Sequence, residues 1–429
     1  MRIFITGASG FIGTHLTRSH CANGHQVTAC VRGGNHSRYN HIGVVTKHLD
    51  FTQSIAPSDW LPHLDNIDVV INAVGIIEQT RKQSFDLIHN QTPCALFQAC
   101  ELAGVKRVIQ ISALGADDTA FSQYHLSKKA ADDYLQQLDL DWIIVKPSIV
   151  YGAGSSSMNF FKAIANLPLI PVIGGGDQQI QPIHISDFAR AIERLIQPET
   201  SGKIIVDMVG PEPITIKQLY SDLHTWLGKG RARFLSIPYP LVLFTAHVFG
   251  PLLQAPITPD AIKMLNKGNI ADVKPFINKF GFRPKSFDQV FAETPAHQAD
   301  RWHAGLYFLA PLLRFSIAFL WIYTGIVSAF VYPAEQSYKM LADAGVSETW
   351  RPLMLHAASL LNISLGIMTL ISYRLVLLGL VQITLIIFYS IIISIALPEQ
   401  WFHPFGPVSK NIPIIVSILI MIVLSRHKR

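Results

Sequence analysis

The stretch Arg2-Ile3-Phe4-Ile5-Thr6-Gly7-Ala8-Ser9-Gly10-Phe11-Ile12-Gly13 decides the fold of the first part of this chain. Arg2 to Thr6 reads as a buried parallel strand, and Phe11 to Ala22 reads as the helix that follows it. The turn between them needs Gly7 to bend sharply and Gly10 to let backbone amides approach a pyrophosphate. Gly13 lets the helix pack close on the strand, and the helix N-terminus then faces negative charge. The backbone of Gly7, Ser9, Gly10, Phe11, Ile12 and Gly13 is therefore the expected cradle of a dinucleotide.

Outward from this turn, strands and helices alternate in the way a parallel sheet requires. Gln26–Val31 is the second strand, after a helix that stops at Asn23-Gly24. Asp68–Asn72 and Arg107–Ser112 are further strands, the latter after a helix stop at Gly104, and Asp141–Lys146 is another. A Pro- and Gly-rich region from Pro147 to Pro182 breaks the rhythm, and a smaller irregular lobe runs to about Pro295. The expected fold class is α/β, a doubly wound parallel sheet with a smaller lobe. The expected domains are 1–152, 153–296 and 297–429.

The last part has a different composition. Of 429 residues, 49% are apolar and only 15% charged, against about 25% charged in typical soluble domains. The excess lies in Phe315–Val331, Leu353–Ile371, Leu375–Leu397 and Ile412–Leu424, four stretches apolar all round. A span of about 30 Å of hydrocarbon needs about 20 such residues, so four membrane spans are expected and the lipid bilayer is a partner. Ile237–Ala255 is also apolar, but Pro238, Pro240, Gly250 and Pro251 interrupt it, and it reads as a buried or interfacial helix. The formal charge of +6 comes with no basic block of the kind nucleic acid requires. Arg426-His427-Lys428-Arg429 flanks the final apolar stretch instead. With no signal peptide ahead of the first strand, and Arg301, Arg314, Arg374 and Arg426 beside the spans, both the N-terminal domain and the C-terminus are expected in the cytoplasm. The four cysteines and seventeen histidines show no metal-ligand spacing, so reduced thiols and no metal site are expected.

Chemistry is carried by Ser112, at the carboxyl end of its strand, and by Tyr124 and Lys128, which share one face of a helix. Tyrosine near pKa 10 is a poor acid–base group at neutral pH; an ammonium beside it favours the phenolate and shifts it towards the working range. Ser112 is placed to polarise a carbonyl.

Residues 1 to about 195 resemble the extended branch of the short-chain dehydrogenase/reductase superfamily, which includes the NAD-dependent epimerases and dehydratases. The resemblance rests on the Gly7/Gly10/Gly13 turn, Asp50, Asn72-Ala73-Val74-Gly75, Asn90, Ser112, Tyr124/Lys128 and Lys146-Pro147-Ser148-Ile149-Val150-Tyr151-Gly152. It implies a catalytic set of Asn90, Ser112, Tyr124 and Lys128, with Asp50 on adenine and Pro147, Ser148 and Ile149 along the nicotinamide. Asn72, Ala73, Val74 and Gly75 would border the cofactor. The lobe from Pro211 to Val290 looks like relatives of the 39-kilodalton accessory subunit of respiratory complex I, through Leu265–Asp272 and Phe280–Pro284. The tail is similar to DoxX-like four-helix domains. In NAD-preferring relatives the second strand ends in an acid; here that end reads Cys30-Val31-Arg32-Gly33, and Arg32 suits a 2′-phosphate. NADP(H) is therefore favoured, with NAD(H) as the alternative. The expected function is a membrane-anchored NAD(P)H-dependent oxidoreductase acting on the carbonyl or alcohol of a small, apolar substrate. Two alternatives stand beside it: a nucleotide-binding assembly or redox-sensing protein with a membrane-protein partner, and an NAD-dependent epimerase or dehydratase.

Overall fold

The computed structural model describes residues 1–33, 39, 43–200, 202–253 and 258–426, without the side chains of 248–253 and 426. The basic group His427-Lys428-Arg429 lies outside the described residues. The chain divides into two compact units, Met1–Ala304 and Gly305–Arg429. The division between the two units falls inside the helix Gln298–Ile326, eight residues beyond the expected 296/297 boundary.

The first unit is built on seven parallel strands: β1 (Arg2–Thr6), β2 (Gln26–Val31), β3 (Val45–His48), β4 (Val69–Asn72), β5 (Arg107–Ile111), β6 (Asp141–Pro147) and β7 (Ile204–Met208). Their spatial order is β7-β6-β5-β4-β1-β2-β3. The chain runs one way from β1 through β2 to β3 and the other way from β4 to β7, so the topological switch point falls between β1 and β4, where Ile5 pairs Ile71 and Thr6 pairs Asn72. In open parallel sheets the ligand crevice forms outside the carboxyl ends of the strands at that point.

Alternation along the strands feeds two apolar layers. Ile3, Ile5, Ile71, Ile109 and Ile143 join Leu16, Phe188, Ile192 and Leu195 on one face. Phe4, Val70, Val108 and Ile144 join Leu96, Phe97, Ala131 and Leu135 on the other. Helices Phe11–Ala22 and Ile185–Leu195 therefore cover one side, and Thr92–Leu102 and Gln123–Gln137 the other. Two buried polar clusters tie distant elements to this sheet. Arg107 donates to Asp141 Oδ2 (2.8 Å) and to the carbonyls of Leu195, Gln197 and Thr200 (2.6–2.7 Å). Glu193 bridges His20 Nδ1 at 2.7 Å and His25 Nε2 at 2.8 Å. Those three side chains are the group of potential metal ligands among the described residues, and hydrogen bonds alone account for their spacing.

The second unit contains apolar helices, three of them with the length and composition to cross a membrane: Gln298–Val331 (which begins in the first unit), Glu348–Leu370 and Leu375–Ala396. The fourth apolar helix, Asn411–Ser425, is shorter. Glycines set their contacts: a Cβ on Gly366 would stand 2.8 Å from the Ala318 carbonyl, and one on Gly325 2.7 Å from that of Ser359. Arg314 is buried and donates to Ser372, in the turn between the second and third of these helices. A further helix, Ala334–Asp343, fills the connection after the first span.

Candidate functional site

The glycine turn has the conformation its spacing requires. Gly7 has φ +65°, and a Cβ there would come 2.8 Å from the Ala73 carbonyl. A Cβ on Gly13 would lie 2.2 Å from the Gly7 carbonyl, so helix and strand touch backbone to backbone. Gly10 is the N-cap of helix Phe11–Ala22 and supplies no side-chain cap. The first-turn amides, which have no partner inside a helix, thus face the crevice as donors for an anion. Ser9 and Gly10 are exposed at the turn, and Phe11 and Ile12 are half-buried behind it. This cradle, which side chains would fill, fits a dinucleotide pyrophosphate.

Farther along the crevice, Arg32 and Asp50 line a cavity of about 450 Å³ together with Thr52, Thr80, Arg81, Lys82 and Gln83. Asp50 accepts from the Thr52 amide and hydroxyl, both at 2.9 Å, which fixes its carboxylate at the rim. Sequence reasoning named Arg32 and Asp50 there and missed Arg81 and Lys82. The short bridge between Thr80 and Gln83 turns that loop back and presents the two cations.

At the other end, helix Gln123–Gln137 is capped by Ser122, whose hydroxyl accepts from the His125 amide. It carries Tyr124 and Lys128 on one face. Lys128 is buried, and its Nζ donates to the carbonyls of Ile111 (3.0 Å) and Val74 (3.2 Å), at the ends of β5 and just past β4. Burial lowers its affinity for a proton, and the carboxylate of Asp132 one turn along opposes that. Tyr124 is half-buried among Phe85, His89 and His125, with ring centroids 5.9, 5.4 and 5.3 Å away. Its phenol is pushed up to about 12, by burial first and by the Asp132 charge second. The direction is opposite to the one expected from a neighbouring ammonium: Lys128 gives two donors to the Ile111 and Val74 carbonyls, and desolvation of the phenolate dominates,.

Three candidate residues are placed differently from the sequence expectation. Ser112 turns its hydroxyl onto Asp132, a buried carboxylate, and not towards Tyr124. Asp132 is itself shifted up, by burial first, with the Ser112 bond and Lys128 opposing. Asn90 pairs with Asp86 at 2.8 Å and accepts from Cys94 at 3.5 Å, on the outer side of its helix. The cause is a π-helical run over Asp86–Gln91. Its wider turn changes which side chains face inward, and His89 is the one that reaches the site. His89 Nε2 accepts from the Ile76 amide at 3.0 Å and Nδ1 pairs with Ser127 at 3.0 Å, so Nδ1 carries the proton. Burial first and the Lys128 charge second hold His89 neutral, its pKa down to about 2. Asn72 is the third: it accepts from Thr6 (2.6 Å) and donates to Gln110 (2.7 Å), bracing the switch point from within the core. Ala73, Val74 and Gly75 hold the crevice edge, and a Cβ on Gly75 would meet Lys128 Nζ at 3.4 Å. Pro147 accepts from the Leu114 amide, Ser148 donates to the Gln181 carbonyl at 2.5 Å, and Ile149 accepts from the Ile183 amide.

Asp132 and His89 were missed in the sequence. Asp132 had a signal: four residues beyond Lys128, it lies on the same helical face. His89 had none, because its inward placement depends on the π turn.

Comparison with known proteins agrees with this geometry. The family described as NAD(P)H-binding matches residues 7–160, and the DoxX-like family matches residues 318–419. The chain carries an NAD(P)-binding Rossmann domain and a DoxX-like membrane domain. The Rossmann domain is related to the complex I 39-kilodalton subunit. It is 27% identical over 253 residues to the mitochondrial NADH dehydrogenase (ubiquinone) 1 alpha subcomplex subunit 9 of Arabidopsis thaliana, covering 55% of this chain and 60% of that protein. The chain thus spans about three fifths of that relative. It is 26% identical over 245 residues to ceramide reductase of Caulobacter vibrioides, covering 56% of this chain and 75% of the relative. Among solved structures, a nucleoside-diphosphate-sugar epimerase of Staphylococcus aureus aligns with TM-score 0.56 and 16% identity, covering 68% of this chain and 99% of that one. An NADPH-dependent quinone oxidoreductase of Escherichia coli, solved with NADPH, aligns with TM-score 0.54 and 19% identity, covering 68% and 99%. These two share the fold.

Proposed function

We propose that this protein is a membrane-anchored NADP(H)-dependent reductase of the short-chain dehydrogenase/reductase type, acting on the carbonyl of an apolar, lipid-like substrate. The observation that carries the reading is the pairing of Tyr124 with buried Lys128 on one helical face at the carboxyl edge of β5, beside the glycine cradle. The bound nicotinamide would supply the hydride. Tyr124, held as the neutral phenol, is suited to give its proton to a carbonyl oxygen as the hydride arrives. Lys128 Nζ, with two of its donors on Ile111 and Val74, has a third for the ribose or the phenol. His89, neutral and fixed, braces the Tyr124 ring. The similarity to ceramide reductase and the membrane domain support an apolar substrate, with the Rossmann domain facing the cytoplasm. Arg32, with Arg81 and Lys82 across the same cavity, supports NADP(H), since a 2′-phosphate suits a cationic rim.

The test is titration of NADPH and NADH into wild type and Arg32→Ala. Loss of a charge-assisted contact costs on the order of 1.5–3 kcal/mol, about ten- to hundredfold in affinity. NADPH binding should weaken by that factor while NADH binding holds; unchanged NADPH affinity refutes the assignment. A second reading, a nucleotide-binding assembly protein of a membrane complex, draws support from Ser112, whose hydroxyl is committed to Asp132. Tyr124→Phe separates the two. The reductase should lose turnover by at least about a hundredfold while binding nucleotide normally, whereas an assembly protein would be unaffected.

A further inference from the structure

Helix Tyr239–Leu253 holds no Asp, Glu, Lys or Arg. An uncharged, apolar helix of this kind ordinarily fills a core, yet Leu241 is 50% and Phe244 62% exposed, and Ala246 is buried beneath them. The strand just before it in the chain, Phe234–Ile237, pairs with Ile170–Ile173, and Leu235 and Leu169 of this pair and its approach are exposed as well. Immediately before that strand runs Lys229-Gly230-Arg231-Ala232-Arg233, with Arg231 and Arg233 exposed. Lys229 is anchored by its bond to the Asn166 carbonyl. An exposed apolar helix next to a cluster of cations is the composition of a segment lying in a lipid headgroup layer.

We infer that helix Tyr239–Leu253 and the Lys229–Arg233 loop form a membrane-interfacial surface of the first unit, with Leu241 and Phe244 seated among acyl chains and Arg231 and Arg233 on anionic headgroups. The occupant is the bilayer because the same chain continues, a residue beyond Ala304, into the DoxX-like membrane domain, which holds the first unit within reach of lipid. Complementarity of charge selects an anionic leaflet. Of the two readings left open for Ile237–Ala255, the exposure of Leu241 and Phe244 supports the interfacial one. The surface stands independently of hydride transfer. It also has a route to the candidate site: the helix packs on helix Pro259–Lys267, whose Lys267 donates to Thr119 and whose Met264 accepts from Ser122, the residue capping the Tyr124 helix.

The experiment uses the full chain in nanodiscs, with half-buried Cys21 and Cys94 replaced and a single cysteine at Phe244 or, as control, at Leu102, which is 65% exposed in the same unit. Each carries an environment-sensitive fluorophore, and the nanodiscs contain lipid with a nitroxide near the headgroup. Both positions are exposed, so neither substitution opens a core cavity. Quenching and a blue shift at 244 in phosphatidylglycerol-containing discs, absent at 102, are expected. Arg231→Gln with Arg233→Gln should lower the docked-to-free ratio about thirtyfold, since each cation near an anionic surface contributes about fivefold. Equal, unquenched emission at both sites overturns the inference. Quenching indifferent to headgroup charge overturns the assignment to an anionic leaflet. Energy transfer between labels at 244 that appears only in discs holding two copies would assign the surface to chain–chain contact.

Discussion

In the proposed reductase Tyr124 is the proton donor, and its ionisation can be read without knowing the substrate. Burial and the Asp132 charge hold the phenol up to about 12 against an ordinary value of about 10,. A shift of that size corresponds to roughly 3 kcal/mol of bias against the phenolate. The phenol therefore keeps its proton across the physiological range. The assay is a spectrophotometric titration of tyrosinate absorbance on wild type minus Tyr124→Phe, which isolates one phenol among twelve tyrosines. No difference should develop below about pH 10. Asp132→Asn removes the second cause, so the ionisation of Tyr124 should move down. A difference step with its midpoint at or below pH 9 would refute the reasoning, because it would mean that Lys128 outweighs burial after all.

Further outcomes follow from the same structure. Arg107→Met should cost about 3–5 kcal/mol of unfolding free energy, since it strands the Asp141 carboxylate and three carbonyls near the end of helix Ile185–Leu195,; denaturant melts of the full chain in detergent check it, and a loss below about 1 kcal/mol contradicts the assignment. Gly13→Ala should cost at least about 3 kcal/mol, because its Cβ meets the Gly7 carbonyl at 2.2 Å,. Gly10→Ala, whose nearest contact is 3.2 Å, should fold and show its loss in nucleotide affinity instead. Glu193 is raised by burial but lowered more by the bonds from His20 and His25, to about 2 from 4.5. A depressed carboxylate stabilises the fold fully above about pH 4.5 and loses that contribution as pH falls towards 2, with a slope of about 1.4 kcal/mol per pH unit. Glu193→Gln should remove that limb of the stability–pH curve, and an unchanged limb would exclude Glu193 as its source.

Much of the architecture was legible because it is local. Gly7 needs a positive φ, Gly10 and Gly13 need backbone approach, and those requirements are written within a dozen residues. The strand end at Val31 and the helix stops at Gly24 and Gly104 follow from turn chemistry of the same short range, and the strand read as Arg107–Ser112 ends one residue earlier,. The apolar helices were legible by length and composition alone, and Tyr124 and Lys128 by helical periodicity.

The site was less legible because its chemistry depends on what packs against each side chain. Whether Ser112 faces a substrate or Asp132 depends on a helix twenty residues later. Whether residue 89 or 90 points inward depends on a π turn that no residue announces. Arg107 and Glu193 find their partners across as many as 93 and 173 residues, so no window of sequence contains them. The sequence by itself determined the strand–turn–helix cradle, the parallel sheet and the apolar tail, since each follows from backbone geometry or from composition along a short segment. The tertiary structure alone decided the surroundings of Tyr124, the direction of Ser112 and the exposure of Leu241 and Phe244, because desolvation and hydrogen-bond partners are properties of the neighbours a fold brings together.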